Sequence, residues 1–370
     1  MSNEIRTFRI DVPQAELDEL RERLARTRWP VTEGVGWSRG VPAGYLKGLA
    51  EYWRDSFDWR AQEAKLNELP QFTTEIDGQT IHFVHARSSR EDAMPLILNH
   101  GWPGSPADFL KVVGPLTEAG FHVVAPSLPG YGFSTPVRET GWGVNRSAAA
   151  MVELMARLGY ERYGVYGFDL GSGVANTMRL LAPERVVGIH FSVAGPDDMI
   201  GVVAADGTMS VRPGPLAGPD GMGSFQIQST RPQTLAYGFA DSPVAQLAWI
   251  VEKFKEWTDP AAELPEDAVD LDQLLAKVTL YWVEGTGASA SHFAYELRQD
   301  LANLVKGSDE AGAVPVGFAE FASDPAIRPL VDPGGIVGHW SRFERGGHFP
   351  AMEVPELLAA DLIAFFGGLR

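Results

Sequence analysis

Largely apolar runs of five to eight residues recur through the first half of the chain, separated by amphipathic stretches. Ile81 to Ala86, Pro95 to Asn99, Phe121 to Ala125, Tyr163 to Gly167 and Val187 to Ala194 are such runs. Glycine, proline and polar turn residues bound them, which marks buried strands rather than helices. Helical patterns lie between, and that alternation predicts a mostly parallel sheet flanked by helices. Ahead of it, residues up to about Phe72 form a leader rich in aromatic side chains: Trp29, Trp37, Tyr45, Trp53 and Trp59. Pro13 through Arg28 carries Leu17, Leu20 and Leu24 on one stripe and closes before Pro30, as an amphipathic helix does. The leader's apolar pieces are too short to make a core alone, so an arm packed on the main domain is expected.

The alternation breaks between Asp197 and about Leu301, where Gly/Pro-rich loops precede helical patterns at Ser242 to Thr258 and Leu271 to Val283. Strand patterns return at Val314 to Phe318 and His339 to Phe343. The expected class is α/β, in four segments: an arm at 1–72, the first half of the core at 73–196, a helical cap at 197–301 and the second half of the core at 302–370. A cap inserted there would roof the site, exclude water and supply substrate contacts.

Composition narrows the function without choosing it. A chain of 370 residues with 45% hydrophobic and 21% charged residues can bury the core of an ordinary globular enzyme. A net charge of −17 argues against nucleic acid or an anionic membrane as partner. No apolar run reaches bilayer-spanning length, and Met1 to Arg6 holds no hydrophobic signal core, so a cytoplasmic location is expected. With no cysteine, disulfides and thiol catalysis are excluded. Self-association as a homodimer is left open.

The chemistry concentrates in Gly167-Phe168-Asp169-Leu170-Gly171, a strand-to-helix turn of the nucleophile-elbow kind with aspartate where most such turns carry serine. A serine attacking saturated carbon would leave an ether that water does not readily cleave, whereas a carboxylate leaves a cleavable ester. Asp169 therefore points to an alkylating substrate, an epoxide or an alkyl halide; the plain alternative is a turn aspartate capping the next helix. One strand earlier, His100-Gly101-Trp102-Pro103-Gly104-Ser105 is a tight loop, from which the Trp102 N–H would join that of Leu170 in an oxyanion hole. A cis peptide at Trp102-Pro103 is expected, because the loop must turn back sharply. His100 and Phe168, beside these donors, are expected to face the substrate. His348, in a glycine-rich loop after the last strand pattern, is the candidate base. Chain order puts its acid after Val314 to Phe318, where Asp324 is best placed and Glu320 is the rival. His82 and His85 lie three apart in a strand, on opposite faces, and no metal site is expected.

Together with Phe8 to Pro13, Thr27 to Pro30, Pro126 to Ser134, Gln228 to Thr234, Asp241 to Val244 and Arg345 to Phe349, these motifs make the chain resemble the epoxide hydrolases with an N-terminal extension, the branch of the microsomal and juvenile-hormone enzymes. The resemblance implies an α/β-hydrolase core, a helical cap, the pair Asp169 and His348 with Asp324 as acid, a small apolar epoxide as substrate, and no cofactor. It also implies two cap tyrosines that hold and protonate the epoxide oxygen. This chain has Ser224 at the first position and Ala294 at the second, with Tyr295 beside it. Tyr295 is then the first candidate donor, followed by Tyr237 and Tyr281, with Ser224 the weakest and His292 in reserve. The first rival is dehalogenation on the same nucleophile, since halide leaves without a proton; Leu170 stands where such enzymes usually have tryptophan. The second is a binding relative that has lost ring opening.

Overall fold

The computed structural model describes residues 4–31, 34, 36–192, 199–203, 209–213, 223–303, 305–323 and 328–370. Its strands are β1 (Arg6–Phe8), β2 (Gln71–Ile76), β3 (Gln79–Ala86), β4 (Met94–Asn99), β5 (Phe121–Pro126), β6 (Tyr163–Gly167), β7 (Val186–Phe191), β8 (Met199–Val203), β9 (Met209–Pro213), β10 (Val316–Glu320) and β11 (Val337–Arg342). Nine of these form one sheet in the order β1-β2-β3-β5-β4-β6-β7-β10-β11. From β5 to β11 every pairing is parallel, and β1, β2 and β3 extend it antiparallel. Leu96, Ile97 and Leu98 on β4 are fully buried, as both faces of a central parallel strand are covered. The protein thus has the α/β-hydrolase fold, a mostly parallel sheet with helices around it.

Three glycines set how closely the last helix lies on the sheet. A Cβ at Gly164 or Gly188 would collide with Phe366 or Leu369, and one at Gly317 with His190 while crowding Phe365, so the helix Pro355–Gly367 and its tail rest directly on β6, β7 and β10. Each buried aromatic or aliphatic side chain in that contact contributes about 1.5–3 kcal/mol.

The arm is tied to the helices that follow β9 as well as to the sheet. Its β1 pairs with β2, and Leu17, Leu20 and Leu24 are buried along the helix Gln14–Ala25. The Trp53 Nε1–H donates to Thr279 Oγ1 at 2.9 Å, the Tyr52 hydroxyl to Asp272 at 2.9 Å, and Arg23 to the Asp241 carbonyl at 2.8 Å. The strands β1 and β2 and the hairpin β8–β9 lie outside the expected elements. Gln71-Phe72-Thr73-Thr74-Glu75 is mostly polar, and its partner on one side is 65 residues away, so no apolar run announces it; its one local signal is the Asp77-Gly78 hairpin turn to β3, with φ of 51° and 75°. The helical patterns expected after Asp197 appear as Pro243–Trp257 and Leu271–Val283. Among the described residues no helix is long and apolar enough to cross a membrane.

Candidate active site

The register of β4 on β6 pairs Asn99 with Gly167, so the loops leaving these two strands emerge side by side. Asp169 stands at the tip of the second loop with φ 52° and ψ −129°, a conformation non-glycine residues adopt only where the surroundings enforce it. Glycines make room for the turn. A Cβ on Gly167 would overlap the Gly171 backbone, one on Gly171 the Asn99 carbonyl, and one on Gly101 the Asp169 carboxylate itself.

Each carboxylate oxygen of Asp169 has its own neighbour. The Trp102 N–H donates to Oδ1 at 2.8 Å. Oδ2 lies 3.3 Å from His348 Nε2, with both side chains almost fully buried; the pair is close but not aligned as a hydrogen bond. Leu170 heads the helix Leu170–Leu181, and a first-turn N–H has no partner within its helix. The Trp102-Pro103 peptide is cis; so is Thr135-Pro136, which the sequence reading did not foresee.

His348 is gripped by the end of the helix Pro243–Trp257. Its N–H donates to the Trp257 carbonyl at 2.8 Å, and the Trp257 ring lies 4.8 Å from the imidazole. Trp102 meets Trp257 edge-to-face at 6.0 Å, giving the site an aromatic wall.

The other expected site residues divide sharply. Asp324 lies outside the described residues. Glu320 is engaged elsewhere, accepting from Trp340 Nε1 at 3.2 Å and facing Arg342 at 3.6 Å. His100 does not face a substrate: Leu128 N–H donates to its Nε2 at 3.1 Å, so Nδ1 carries the proton and donates to the Gly101 carbonyl at 2.9 Å. Both ring nitrogens are spent on stitching loops, and burial pushes the imidazole down to about 4, keeping it neutral. Phe168 is likewise interior, edge-on to His348 and Phe109. Tyr281 is buried and its hydroxyl donates to the Gly104 carbonyl at 3.1 Å, bracing the Trp102 loop. Tyr237 and Tyr295 are 69% and 39% exposed, and neither makes a hydrogen bond or ring contact with Asp169, Trp102 or His348. Ala294 is the inward-facing neighbour, at 6%. Helical phase explains the difference, since one position turns a side chain by about 100°. Ser224 opens the helix Gly223–Thr230 half-buried, and His292 is partnered with Gln233 at 3.1 Å.

Residues 5–109 match the family model described as the epoxide hydrolase N terminus, and residues 94–210 match that of the α/β hydrolase fold. A relative from Stigmatella aurantiaca, assigned to the epoxide hydrolases, is 40% identical across 99% of this chain and 86% of its own. The chain belongs to the epoxide hydrolase family. It is thereby placed among hydrolases acting on ether bonds. Epoxide hydrolase 1 of Sus scrofa is 34% identical across 99% of this chain and 89% of its own. The crystal structure of juvenile hormone epoxide hydrolase from Bombyx mori superposes with a TM-score of 0.84 at 30% identity, covering 100% of this chain and 95% of that one.

Two features of this epoxide hydrolase family member escaped the sequence reading. Glu353 lies half-buried beneath the histidine loop, where its carboxylate accepts the Phe349 N–H at 2.9 Å and the Asp259 N–H at 2.8 Å. Burial pushes it up to about 7, against the opposing pull of those N–H groups and of His348. A carboxyl whose folded value lies above its usual one keeps its proton longer in the folded state, so stability falls as pH climbs from about 4.5 through 7. Wild type should therefore lose a few degrees of Tm relative to Glu353→Gln between pH 5 and pH 8. A difference that stays constant with pH would show that Glu353 is charged throughout.

The second feature is a cluster of His190, His339 and Asp361, whose ligand-type atoms lie within 4.8 Å of one another. Both imidazoles already contact the carboxylate, at 2.8 and 2.7 Å, and Ser341 bonds it too. Those bonds outweigh burial and hold Asp361 down at about 2, so hydrogen bonding accounts for the cluster. His82 and His85 go to separate partners, Ser127 and Gln71 for one and Tyr160 for the other.

Proposed function

We propose that the protein opens small apolar epoxides to diols through a covalent ester on Asp169. The observation that carries this is the division of labour on one carboxylate: Oδ1 is held by the Trp102 N–H while Oδ2 is turned toward His348. Oδ2 attacks the ring carbon, the carbon–oxygen bond breaks and the electron pair moves to the ring oxygen. Oδ1 becomes the ester carbonyl, already seated in the oxyanion hole. His348 then takes a proton from water, the water oxygen attacks the ester carbon, and Trp102 and Leu170 N–H groups stabilise the charge on Oδ1. Asp324 orients His348 in this reading; the occupation of Glu320 by Trp340 and Arg342 supports it over its rival.

Residues 197–301 serve as the cap, and residues 1–72 as the arm that fixes it. The cap's Trp257, packed on His348, supplies apolar wall for the substrate. Incubation with terminal and internal epoxides beside chloro- and bromoalkanes of matched length tests the reaction class. Diol formation without halide release is the expected outcome. Halide release with no diol would replace this reading by dehalogenation.

A further inference from the structure

Ring opening by Asp169 leaves a proton donor to be found, and the following assignment rests on that reading. All nine tyrosines of the chain lie among the described residues. Tyr45, Tyr52, Tyr160 and Tyr166 spend their hydroxyls on Glu266, Asp272, His85 and Ser192. Tyr163 begins β6, at the end of the strand opposite Asp169. Tyr237 and Tyr295 are exposed, and Tyr281 is committed to Gly104. Tyr131 remains: it is fully buried and its hydroxyl has no hydrogen-bond partner among the described residues. An orphaned buried hydroxyl costs about 1–3 kcal/mol, which a fold retains where function uses it.

The turn holding Tyr131 is built to keep it there. Gly130 and Gly132 take φ of 86° and 45°, and a Cβ on Gly132 would press on Ser127 Oγ. Ser134 Oγ donates to the Ser127 carbonyl at 2.7 Å, and Leu128 N–H to His100 at 3.1 Å, joining this turn to the loop that carries Trp102. The Tyr131 ring stands edge-on to His100 at 5.1 Å, to Phe293 at 5.7 Å and to Tyr281 at 6.5 Å. Phe293 immediately precedes Ala294, so the phenol sits beside the inward-facing position where the resemblance would place a cap tyrosine. Burial first, and then the Asp169 charge, raises the phenol well above its ordinary value, which places it within the field of the nucleophile.

We propose that Tyr131 is the catalytic proton donor to the ring oxygen. As Asp169 Oδ2 bonds to carbon and the ring C–O bond breaks, the oxygen takes the Tyr131 proton and leaves a phenolate. An alkoxide is a far stronger base than even a buried phenolate, so the transfer runs downhill. The pocket keeps its charge, because a carboxylate is consumed as the phenolate forms. In the second half His348 takes one proton from water and returns it to the phenolate; the other goes to the product oxygen as Asp169 is released. The sum is epoxide plus water to diol.

The test is the rate of ester formation on Asp169, followed by intact mass after rapid mixing with styrene oxide, cyclohexene oxide and 1,2-epoxyoctane. His348→Gln alone, with Tyr131→Phe, and with Tyr295→Phe are compared, and the same rates are taken in D2O. Tyr131→Phe should slow the step about a hundredfold or more, with Tm raised rather than lowered because the oxygen removed is an unsatisfied buried one. Tyr295→Phe should leave it as it was, and D2O should slow the His348→Gln protein. Equal rates with and without Tyr131→Phe, or no effect of D2O, would overturn the assignment while leaving the function standing. No ester on His348→Gln with any epoxide would overturn the function itself, and Tyr131 with it.

Discussion

Asp169→Asn should lower diol formation by about ten-thousandfold or more, in line with the removal of a nucleophile that acts as one unit with its base. The amide keeps an oxygen for the Trp102 N–H, and asparagine tolerates positive φ better than most residues, so the elbow at φ 52° is expected to survive. Loss of activity without loss of Tm isolates the chemistry. His348→Gln should behave differently, because it spares the attack and removes only the base for the second step. Turnover should fall by about a hundred- to ten-thousandfold while substrate mass accumulates on Asp169. If Asp169→Asn retained a tenth of the wild-type rate, water would be attacking the substrate directly and the ester would have no place in the cycle.

The second large effect concerns stability. Lys277 Nζ meets Asp108 Oδ1 at 2.9 Å, with side chains 1% and 2% exposed, and the ammonium lies over the rings of Phe254 and Phe349. Burial pushes Asp108 up and Lys277 down, and each is opposed by the other's charge. The pair bridges the helix Leu271–Val283 to the turn that follows the Trp102 loop. Removing one charge strands the other in a dry interior. Lys277→Met should cost about 3–5 kcal/mol, and adding Asp108→Leu should recover most of it, since a well-packed apolar pair replaces a buried ion pair at little loss. Urea midpoints of the two variants decide. A double variant as unstable as the single one would mean that the site needs charge for more than self-compensation.

Local chemistry was legible in the sequence and long-range company was not. The elbow could be read because the glycines at 167 and 171 and the strand before them are contiguous. His348 was found by order and loop context. Tyr295, expected as the first candidate donor, faces outward instead, because helical phase gives the inward position to its neighbour Ala294. His100 was misassigned as substrate-facing because its partners, Leu128 N–H and the Gly101 carbonyl, include one brought to it by a fold 28 residues away. Trp257, Glu353 and Lys277 gave no signal for the same reason, and Tyr131 stood within the Pro126 to Ser134 motif without its contacts being legible. Each acts through a contact that exists only once the helices after β9 close on the loops of the sheet, and nothing in a tryptophan or a lysine at those positions announces it.

The central claim is a covalent ester on Asp169, and single-turnover hydrolysis in heavy-oxygen water tests it most directly. With enzyme in excess of styrene oxide, water attacks the ester carbon, so one heavy oxygen should appear in the Asp169 carboxylate, found in the peptide that contains it. The diol from that first turnover should carry none, since its new oxygen comes from Asp169 itself. Heavy oxygen in the first-turnover diol with an unlabelled Asp169 would contradict the account.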